Sequence, residues 1–233
     1  MRVLAVGAHP DDIEVCCGGT VAKFASQGHE VIMCHAGAGD LGHFVIEPDE
    51  LKAVRRKEAI AAAEVIGAKS VTLGFPDGFH FEDRQSVMKH VDMIREANPD
   101  LIITHPPEDY MPDHVATSHL VMHASFNATL PHLRTAFEHV GEVVPVYFME
   151  ALTGLDFVPA EFVDITDFLE TKLQMLRCHE SQFAWLDDHS KFDMVDAVTT
   201  SAKFRGYQSG VKYAEAFKPA DRWLRRRAER LLP

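Results

Sequence analysis

The sequence of 233 residues lacks features that define several common classes of protein. No run approaches the roughly 18 consecutive apolar residues of a membrane-spanning helix, so we expect no membrane span. The N-terminal residues form a predicted strand and carry no basic segment or cleavage pattern typical of a secretory signal. The four cysteines do not form a disulfide framework, since Cys16 and Cys17 are adjacent. We therefore expect reduced thiols and a cytoplasmic protein.

Positive charge is also scarce. The chain has 23 Lys and Arg against 35 Asp and Glu, and a formal net charge of -12. This balance argues against a nucleic-acid partner, because nucleic-acid-binding proteins usually carry a basic surface. The one basic cluster comprises Arg222, Arg225–Arg227 and Arg230, on a terminal stretch predicted to be helical. We interpret it as a solvated or subunit-facing surface, with a phosphate site as the alternative.

Strand-like and helix-like segments alternate through the first half of the chain. Strands are predicted at 2–7, 30–36, 70–75 and 101–105, and helices at 18–27, 49–66 and 84–97. This order predicts an α/β fold, doubly wound, with a mainly parallel sheet and helices on both faces. The first turn lacks the G-x-G-x-x-G pattern, so a dinucleotide site is disfavoured.

The pattern weakens beyond residue 140. Segments 143–150 and 162–166 resemble strands, and 167–178 resembles a helix. No linker, repeat or shift in composition marks a second domain. We therefore predict a single domain over residues 1–233.

Histidine is abundant, with 14 residues, and imidazoles and carboxylates follow the first and fourth predicted strands. The first loop carries His9, Asp11 and Asp12, and the second carries His105, Glu108, Asp109, Asp113 and His114. Loops that follow parallel strands open on one edge of the sheet, where ligands bind. Two histidines and an aspartate with an open position suit a catalytic divalent metal, zinc first. The two loops together predict a metal site at this edge.

Each motif taken alone also has a structural interpretation. His9 could cap the following helix, and Asp11, Asp12 or Asp113 could be an N-cap. Acidic pairs after a first strand also occur in receiver domains and in haloacid-dehalogenase-type phosphatases. Those sites rely on carboxylates, a lysine and Mg²⁺, and they do not explain paired histidines. The combination therefore favours the metal site.

Four segments carry a resemblance to a known family: AVGAHPDDIEVCCGGTVAKFASQGHEV, RRKEAIAAAEVIGAKSVTLGFPDG, DLIITHPPEDYMPDHVA and KLQMLRCHESQF. The chain resembles the PIG-L (LmbE-like) N-acetylglucosaminyl deacetylases over almost its whole length, ending near YAEAF. The resemblance implies a Rossmann-like, LmbE-like fold and a Zn²⁺ cofactor, with Fe²⁺ or another divalent metal as alternatives. It also implies hydrolysis of an acetyl or related acyl amide on an amino-sugar conjugate, and a homo-oligomer of three or six subunits.

The resemblance assigns roles to individual residues. The metal ligands correspond to His9, Asp12 and His114, and the general base that activates the attacking water corresponds to Asp11. Arg55 corresponds to an arginine near the substrate, although an ion pair with Asp49 or Glu58 on the helix surface is an equal alternative.

The chain departs from the family at Met111. In relatives, a histidine three positions before the last ligand hydrogen-bonds the acid that corresponds to Asp113, a predicted catalytic residue. A thioether is only a weak acceptor and cannot replace this histidine. The metal alone could hold the oxyanion, helped by Tyr110 or His105, and we expect Tyr110 and Met111 to contact substrate. Alternatively, the protein is impaired or re-purposed and binds a sugar- or nucleotide-like ligand; we favour retained hydrolysis because the ligands and base are intact.

Two further segments are ambiguous from sequence. The loop residues Gly39, Asp40 and His43 could line the substrate site, but a glycine-rich turn needs no such function. His179, Ser181 and Gln182 match an H-x-S-Q motif of the family, for which we favour a structural role.

Overall fold

Seven strands form one sheet in the computed structural model, which describes residues 1–225 and 227–233. The strands are β1 (Arg2–Gly7), β2 (Glu30–Gly37), β3 (Lys69–Phe75), β4 (Leu101–Thr104), β5 (Val146–Met149), β6 (Glu161–Asp164) and β7 (Ala214–Pro219). Their order is β3-β2-β1-β4-β5-β7-β6. All pairings from β3 to β5 are parallel, whereas β7 runs antiparallel to β5 and β6. The predicted mainly parallel α/β fold is confirmed.

Helices cover both faces of the sheet. Those in the described residues are α1 (Asp12–Ser26), α2 (Pro48–Glu64), α3 (Arg84–Ala97), α4 (Pro112–Asn127), α5 (Leu169–Arg177), α6 (Glu180–Ser190) and α7 (Met194–Ser209). Alternate residues of a strand point to opposite faces, so Val3 of β1 packs toward α1 and Leu4 toward α3 and α4. Both side chains are fully buried, which explains why β1 is an uninterrupted apolar run.

The strand order reverses direction at β1. From β1 the chain moves outward to β2 and β3, then crosses back to β4 on the other side of β1. In open α/β sheets, the crevice beyond the carboxyl ends of strands at such a reversal is the usual ligand site. The loops after β1 and β4, which carry the predicted ligands, flank this crevice.

Helix α1 is interrupted at Cys17, where φ is -144° and ψ is 19°. The Glu215 carboxylate of β7 accepts hydrogen bonds from the backbone N–H groups of Gly19 and Thr20, at 2.9 and 2.7 Å. These N–H groups lie at the start of the second half of the helix, where they have no helical partner. The predicted helix over 18–27 therefore matches the second half but omits the first turns.

Sequence patterns were least informative near the C-terminus. Helices α6 and α7 and strand β7 were not predicted. The predicted terminal helix is wrong, because the described residues between 221 and 231 form turns, bends and irregular backbone. Arg225 is buried and donates to the backbone carbonyls of Val144 and Met122, both at 3.0 Å, so it is not a solvated surface residue. Arg226 of the predicted basic cluster lies outside the described residues.

The structure also bears on the membrane and cysteine predictions. Within residues 1–225 and 227–233, no helix combines the length and the apolar character needed to cross a bilayer. Cys16, Cys17 and Cys34 are buried free thiols, and Cys178 is a partly exposed one. These cysteines do not contribute a covalent cross-link, so noncovalent packing holds the fold.

Candidate metal and substrate site

The loops after β1 and β4 bring three predicted metal ligands together. Donor atoms of His9, Asp12 and His114 all lie within 4.8 Å of one another. His114 Nε2 lies 3.3 Å from one oxygen of Asp12, and His9 Nδ1 lies 3.6 Å from the other. The predicted meeting of two loops about a hundred residues apart in sequence therefore occurs in the fold.

Close backbone approach at the end of β1 positions Asp12. A Cβ atom at Gly7 would lie 2.9 Å from Cβ of Asp12, so only glycine leaves room for this carboxylate. The backbone N–H of His9 donates to Asp12 at 2.6 Å, which fixes the carboxylate against the loop. Asp11, between them, has a φ of 118°, a conformation that costs a non-glycine residue roughly 1–3 kcal/mol. Such strain commonly marks a functional position.

Two outer carboxylates orient the candidate ligands. Asp113 lies 3.1 Å from His9 Nε2 and also accepts from the backbone N–H of Gly78 at 2.7 Å. Asp109 lies 3.1 Å from His114 Nδ1 and accepts from the backbone N–H of Met111. Each carboxylate therefore holds one ring nitrogen of a histidine and leaves the other nitrogen facing Asp12. This arrangement is typical of metal-binding histidines, so the residues fit a divalent metal.

His105 forms a second possible ligand group with Asp109 and His114, but its contacts favour a supporting role. Its Nε2 lies 3.0 Å from the backbone nitrogen of Ala8 and 3.1 Å from a carboxylate oxygen of Asp12. Its ring is fully buried and stacks on His114 with 3.9 Å between centroids. His105 is not among the residues that line the cavity, which favours a supporting role over assistance to the oxyanion.

Burial and neighbouring charges shift the pKa values of ionisable groups in the cluster. Burial and the adjacent Asp12 raise the pKa of Asp11 to about 7, although His179 and Arg55 oppose the shift. Burial lowers the pKa of His114, but the carboxylates of Asp12 and Asp109 outweigh it and raise the value to about 9. A concentration of buried acids and imidazoles of this kind is a common signature of a functional site.

A cavity of about 710 Å³ opens beside the cluster. Arg55 of α2 lines it, is only 3% exposed, and donates to the backbone carbonyl of Gly42 at 2.9 Å. The alternative ion pair of Arg55 with Asp49 or Glu58 is wrong, since the Glu58 carboxylate instead accepts hydrogen bonds from Ser181. The guanidinium is therefore turned toward the cavity.

The two residues that precede Pro112 also line the cavity. Tyr110 is 63% exposed, and its ring makes an edge contact with His114 at 5.7 Å between centroids. Met111 occupies the N-cap position of α4, so Asp113 lies in the first turn and is not the N-cap. Asp11 occupies the N-cap position of α1, but its side chain makes no capping hydrogen bond. The capping interpretations of these acids therefore do not explain them.

The glycine-rich loop after β2 is held by Asp77, a residue that the sequence analysis assigned only to a turn. Asp77 accepts hydrogen bonds from the backbone of Gly39 and Leu41, and its own N–H donates to Asp40. His43 accepts from backbone N–H groups of its own loop. Leu41, Gly42 and Asp77 line the cavity, whereas Asp40 and His43 shape the loop.

The H-x-S-Q motif attaches α6 to helices α1 and α2. His179 lies 3.1 Å from the buried carboxylate of Glu14 on α1. Ser181 donates to Glu58 of α2 through both its N–H and its hydroxyl, at 2.8 and 2.6 Å. Gln182, the last residue of the motif, reaches the cavity. His179 and Ser181 thus support the position of α6, which agrees with the structural interpretation.

Fold and site together define an α/β protein with a His–Asp–His cluster of suitable geometry for a metal beside a large cavity. The family model for PIG-L, described as GlcNAc-PI de-N-acetylase, matches residues 4–125, which include every candidate ligand. The chain belongs to the PIG-L family.

Curated proteins and solved structures extend the similarity beyond residue 125. Diacetylchitobiose deacetylase of Thermococcus kodakarensis is 28% identical over 93% of this chain and 82% of its own length. The structure of N,N'-diacetylchitobiose deacetylase from Pyrococcus horikoshii is 28% identical, has a TM-score of 0.80 and covers 93% of this chain and 82% of that chain. GalB, the 4-carboxy-2-hydroxymuconate hydratase of Pseudomonas putida KT2440, is 26% identical with a TM-score of 0.84, over 99% of this chain and 100% of that one.

Proposed function

We propose that this protein is a metal-dependent hydrolase that removes an acetyl, or related acyl, group from the amide of an N-acetylated amino-sugar conjugate. The observation that carries the proposal is the cluster of His9, Asp12 and His114, with Asp11 beside it, at a cavity. Membership of the PIG-L family and the two diacetylchitobiose deacetylases support the substrate class. These relatives are named as enzymes, so a non-catalytic binding protein gains no support.

The three ligands would hold a divalent metal and leave further positions open. Two imidazoles and one carboxylate are typical of catalytic zinc, and we propose Zn²⁺, with Fe²⁺ as the alternative. A metal at this site supplies Lewis acidity toward the amide carbonyl and lowers the pKa of water. Asp109 and Asp113 contact the ring nitrogens of His114 and His9 that face away from Asp12. We therefore propose a positioning role for Asp113, for which the sequence predicted a catalytic role.

Asp11 and Arg55 would act on the reactants directly. Asp11 accepts a proton from the attacking water at a carboxylate oxygen and then delivers it to the departing amine nitrogen. Burial raises the pKa of Asp11, and a carboxyl group with a raised pKa suits a group that both accepts and returns a proton. Arg55 would donate hydrogen bonds to polar groups of the substrate, since it lines the cavity and its guanidinium carries several N–H donors.

Hydration of an unsaturated acid is a second candidate reaction. It is favoured by the match to the hydratase GalB, which extends over nearly the full length of both chains. A hydratase adds water across a carbon–carbon double bond and has no acyl group to release. Arg55 would then pair with a substrate carboxylate.

Release of acetate tests the proposal directly. The zinc-loaded protein should release acetate from at least one member of a panel comprising N-acetylglucosamine, diacetylchitobiose and N-acetylglucosamine linked to inositol or malate. A parallel assay follows the ultraviolet absorbance of an unsaturated hydroxymuconate. Acetate release supports the deacetylase; loss of the diene absorbance without acetate release replaces it with the hydratase. Full metal content with neither reaction would overturn both.

Three further predictions accompany the proposal. We propose one domain over residues 1–233, supported by a single sheet that includes β1 near the first residue and β7 near the last. A homo-oligomer of three or six subunits and a cytoplasmic location follow from the family resemblance and the buried thiols. Light scattering of the purified protein measures the number of subunits.

Restoring histidine at position 111 is expected to increase deacetylation. Met111→His would place an imidazole in the cavity, three residues before His114 and two before Asp113. An oriented oxyanion donor is worth roughly 10²-fold in kcat. We therefore expect kcat on N-acetylglucosamine conjugates to rise toward that limit at unchanged metal content. Met111→Gln, similar in length, is the control; equal or lower kcat in the histidine variant would show that another donor, Tyr110 first, already fills this role.

A further inference from the structure

The cavity has two chemically different parts. Near Arg55 it is polar, with Asp77, Gln182 and the metal-ligand cluster. Elsewhere its lining is mainly apolar, contributed by α1, the loop after β5, α6, the α6–α7 connection and the start of α7; Cys16, Thr153 and Trp185 add a thiol, a hydroxyl and an indole N–H to this part. The residues of this apolar wall are Val15, Leu152, Leu186, Phe192 and Met194.

The apolar wall is the cavity-facing side of a packed cluster. Val15, Leu152 and Leu186 pack with Met194, and the fully or largely buried Leu173, Leu176 and Val198 lie behind them. The backbone N–H of Phe192 donates to the carbonyl of Leu186 at 3.4 Å, which ties the α6–α7 connection to the same surface. The contacts of His179 with Glu14 and of Ser181 with Glu58 hold α6 against α1 and α2. The wall is therefore supported from behind.

The wall begins at the metal-ligand cluster itself. Val15 lies one helical turn after Asp12 on α1, and Met111 supplies a thioether immediately before the α4 turn that carries His114. Hydroxyl groups of a sugar placed against these side chains would find no donor and only the weak acceptor of the thioether, and unmade hydrogen bonds are costly. The polar part near Arg55 can instead receive a sugar. A cavity of about 710 Å³ is also in the range of roughly 300–1,000 Å³ that encloses drug-sized ligands, so it exceeds the needs of an acetamido group.

We propose that the substrate carries an apolar group of several carbons that lies against this wall while its polar part lies near Arg55. The proposal rests on the proposed function for the existence of an amide to be cleaved, but the wall itself is independent of the reaction. The apolar group can belong to the acyl chain that is removed or to the aglycone of the amino sugar. Both present the same chemistry to the wall.

Two substrate series distinguish these sources. The first holds the methyl glycoside constant and lengthens the acyl chain from acetyl to butanoyl and hexanoyl. The second holds the N-acetyl group constant and lengthens the glycoside from methyl to hexyl and octyl. Each methylene fully buried against the wall should raise kcat/KM by up to about 4-fold. We expect a rise of at least roughly 10-fold along one series.

Direct binding provides a readout that does not need turnover. The dissociation constants of methyl, hexyl and octyl glucosaminides and of butanoate and hexanoate are measured by calorimetry. Leu186→Ser and Phe192→Ser should flatten the dependence on chain length. Phe204→Ser is the matched control, because Phe204 is an exposed aromatic residue of α7 outside the cavity lining and should leave that dependence as in the unchanged protein.

The outcomes separate this inference from the proposed function. Chain-length dependence in binding without acyl release from any substrate would support the apolar wall and overturn the hydrolase. Deacetylation with flat kcat/KM and flat affinity in both series would support the hydrolase and overturn the wall. Chain-length dependence that survives Leu186→Ser and Phe192→Ser would also overturn the assignment, because the apolar group would then lie elsewhere.

Discussion

Replacement of His9, Asp12 or His114 by alanine is expected to abolish stoichiometric metal binding. A site with three protein ligands loses its geometry when any one is removed, and the two that remain bind weakly. The loss of affinity should exceed the roughly 10- to 100-fold that removal of an outer partner such as Asp109 or Asp113 costs. Metal content after dialysis, measured by elemental analysis, checks the prediction. Circular dichroism establishes that each variant is folded.

Two histidine variants serve as controls for the metal measurement. His123→Ala removes an imidazole of α4 that is about half exposed and pairs with Glu82, so it should retain full metal content. His105→Gln tests the second candidate group, and it should retain metal if His105 only supports His114. Loss of metal in His105→Gln together with full metal in His9→Ala would transfer the site to His105, Asp109 and His114.

Asp11→Asn should retain the metal but reduce kcat by about 10²-fold or more, the range expected for loss of a positioned general base. The amide matches the carboxylate in shape, so the strained backbone at this position and the adjacent Asp12 stay in place. It cannot accept the proton of the attacking water, which is the property removed. The measurement is kcat on the best substrate of the panel, with metal content determined on the same sample.

Substitutions of two further acidic residues serve as comparisons for Asp11→Asn. Asp12→Asn should lose metal, because this residue contacts both candidate histidine ligands. Glu108→Gln neutralises an exposed acid on the loop after β4 and should change neither the metal content nor kcat. If Asp11→Asn loses the metal and Asp12→Asn retains it, the two aspartates have exchanged roles.

The sequence by itself predicted the first four strands along the chain and the edge of the sheet at which imidazoles and carboxylates meet, and the family resemblance selected the candidate ligands among them. Periodicity is strong where an element is buried on one or both faces, as in β1 and in α3, whose predicted span 84–97 is confirmed. The H-P-D-D and M-P-D-H segments each follow a strand closely, so topology alone placed them at one edge. The first turns of α1 were missed because Pro10 and two acids typically indicate a loop, whereas here they begin a helix.

Only the tertiary structure decided which neighbours each polar side chain has. It assigned Asp113 to His9 and Asp109 to His114, a choice that depends on distances between loops and leaves no periodic signal. It also placed Arg55 at the cavity and not in an ion pair with Asp49 or Glu58, which are close to it in sequence. The Glu58 carboxylate instead accepts hydrogen bonds from Ser181 of α6. The apolar wall likewise joins Val15 of α1 to short segments after residue 150, where stabilisation comes from long-range packing. Local sequence specifies the elements and the donor atoms, whereas packing between distant elements specifies the contacts that give them their chemistry.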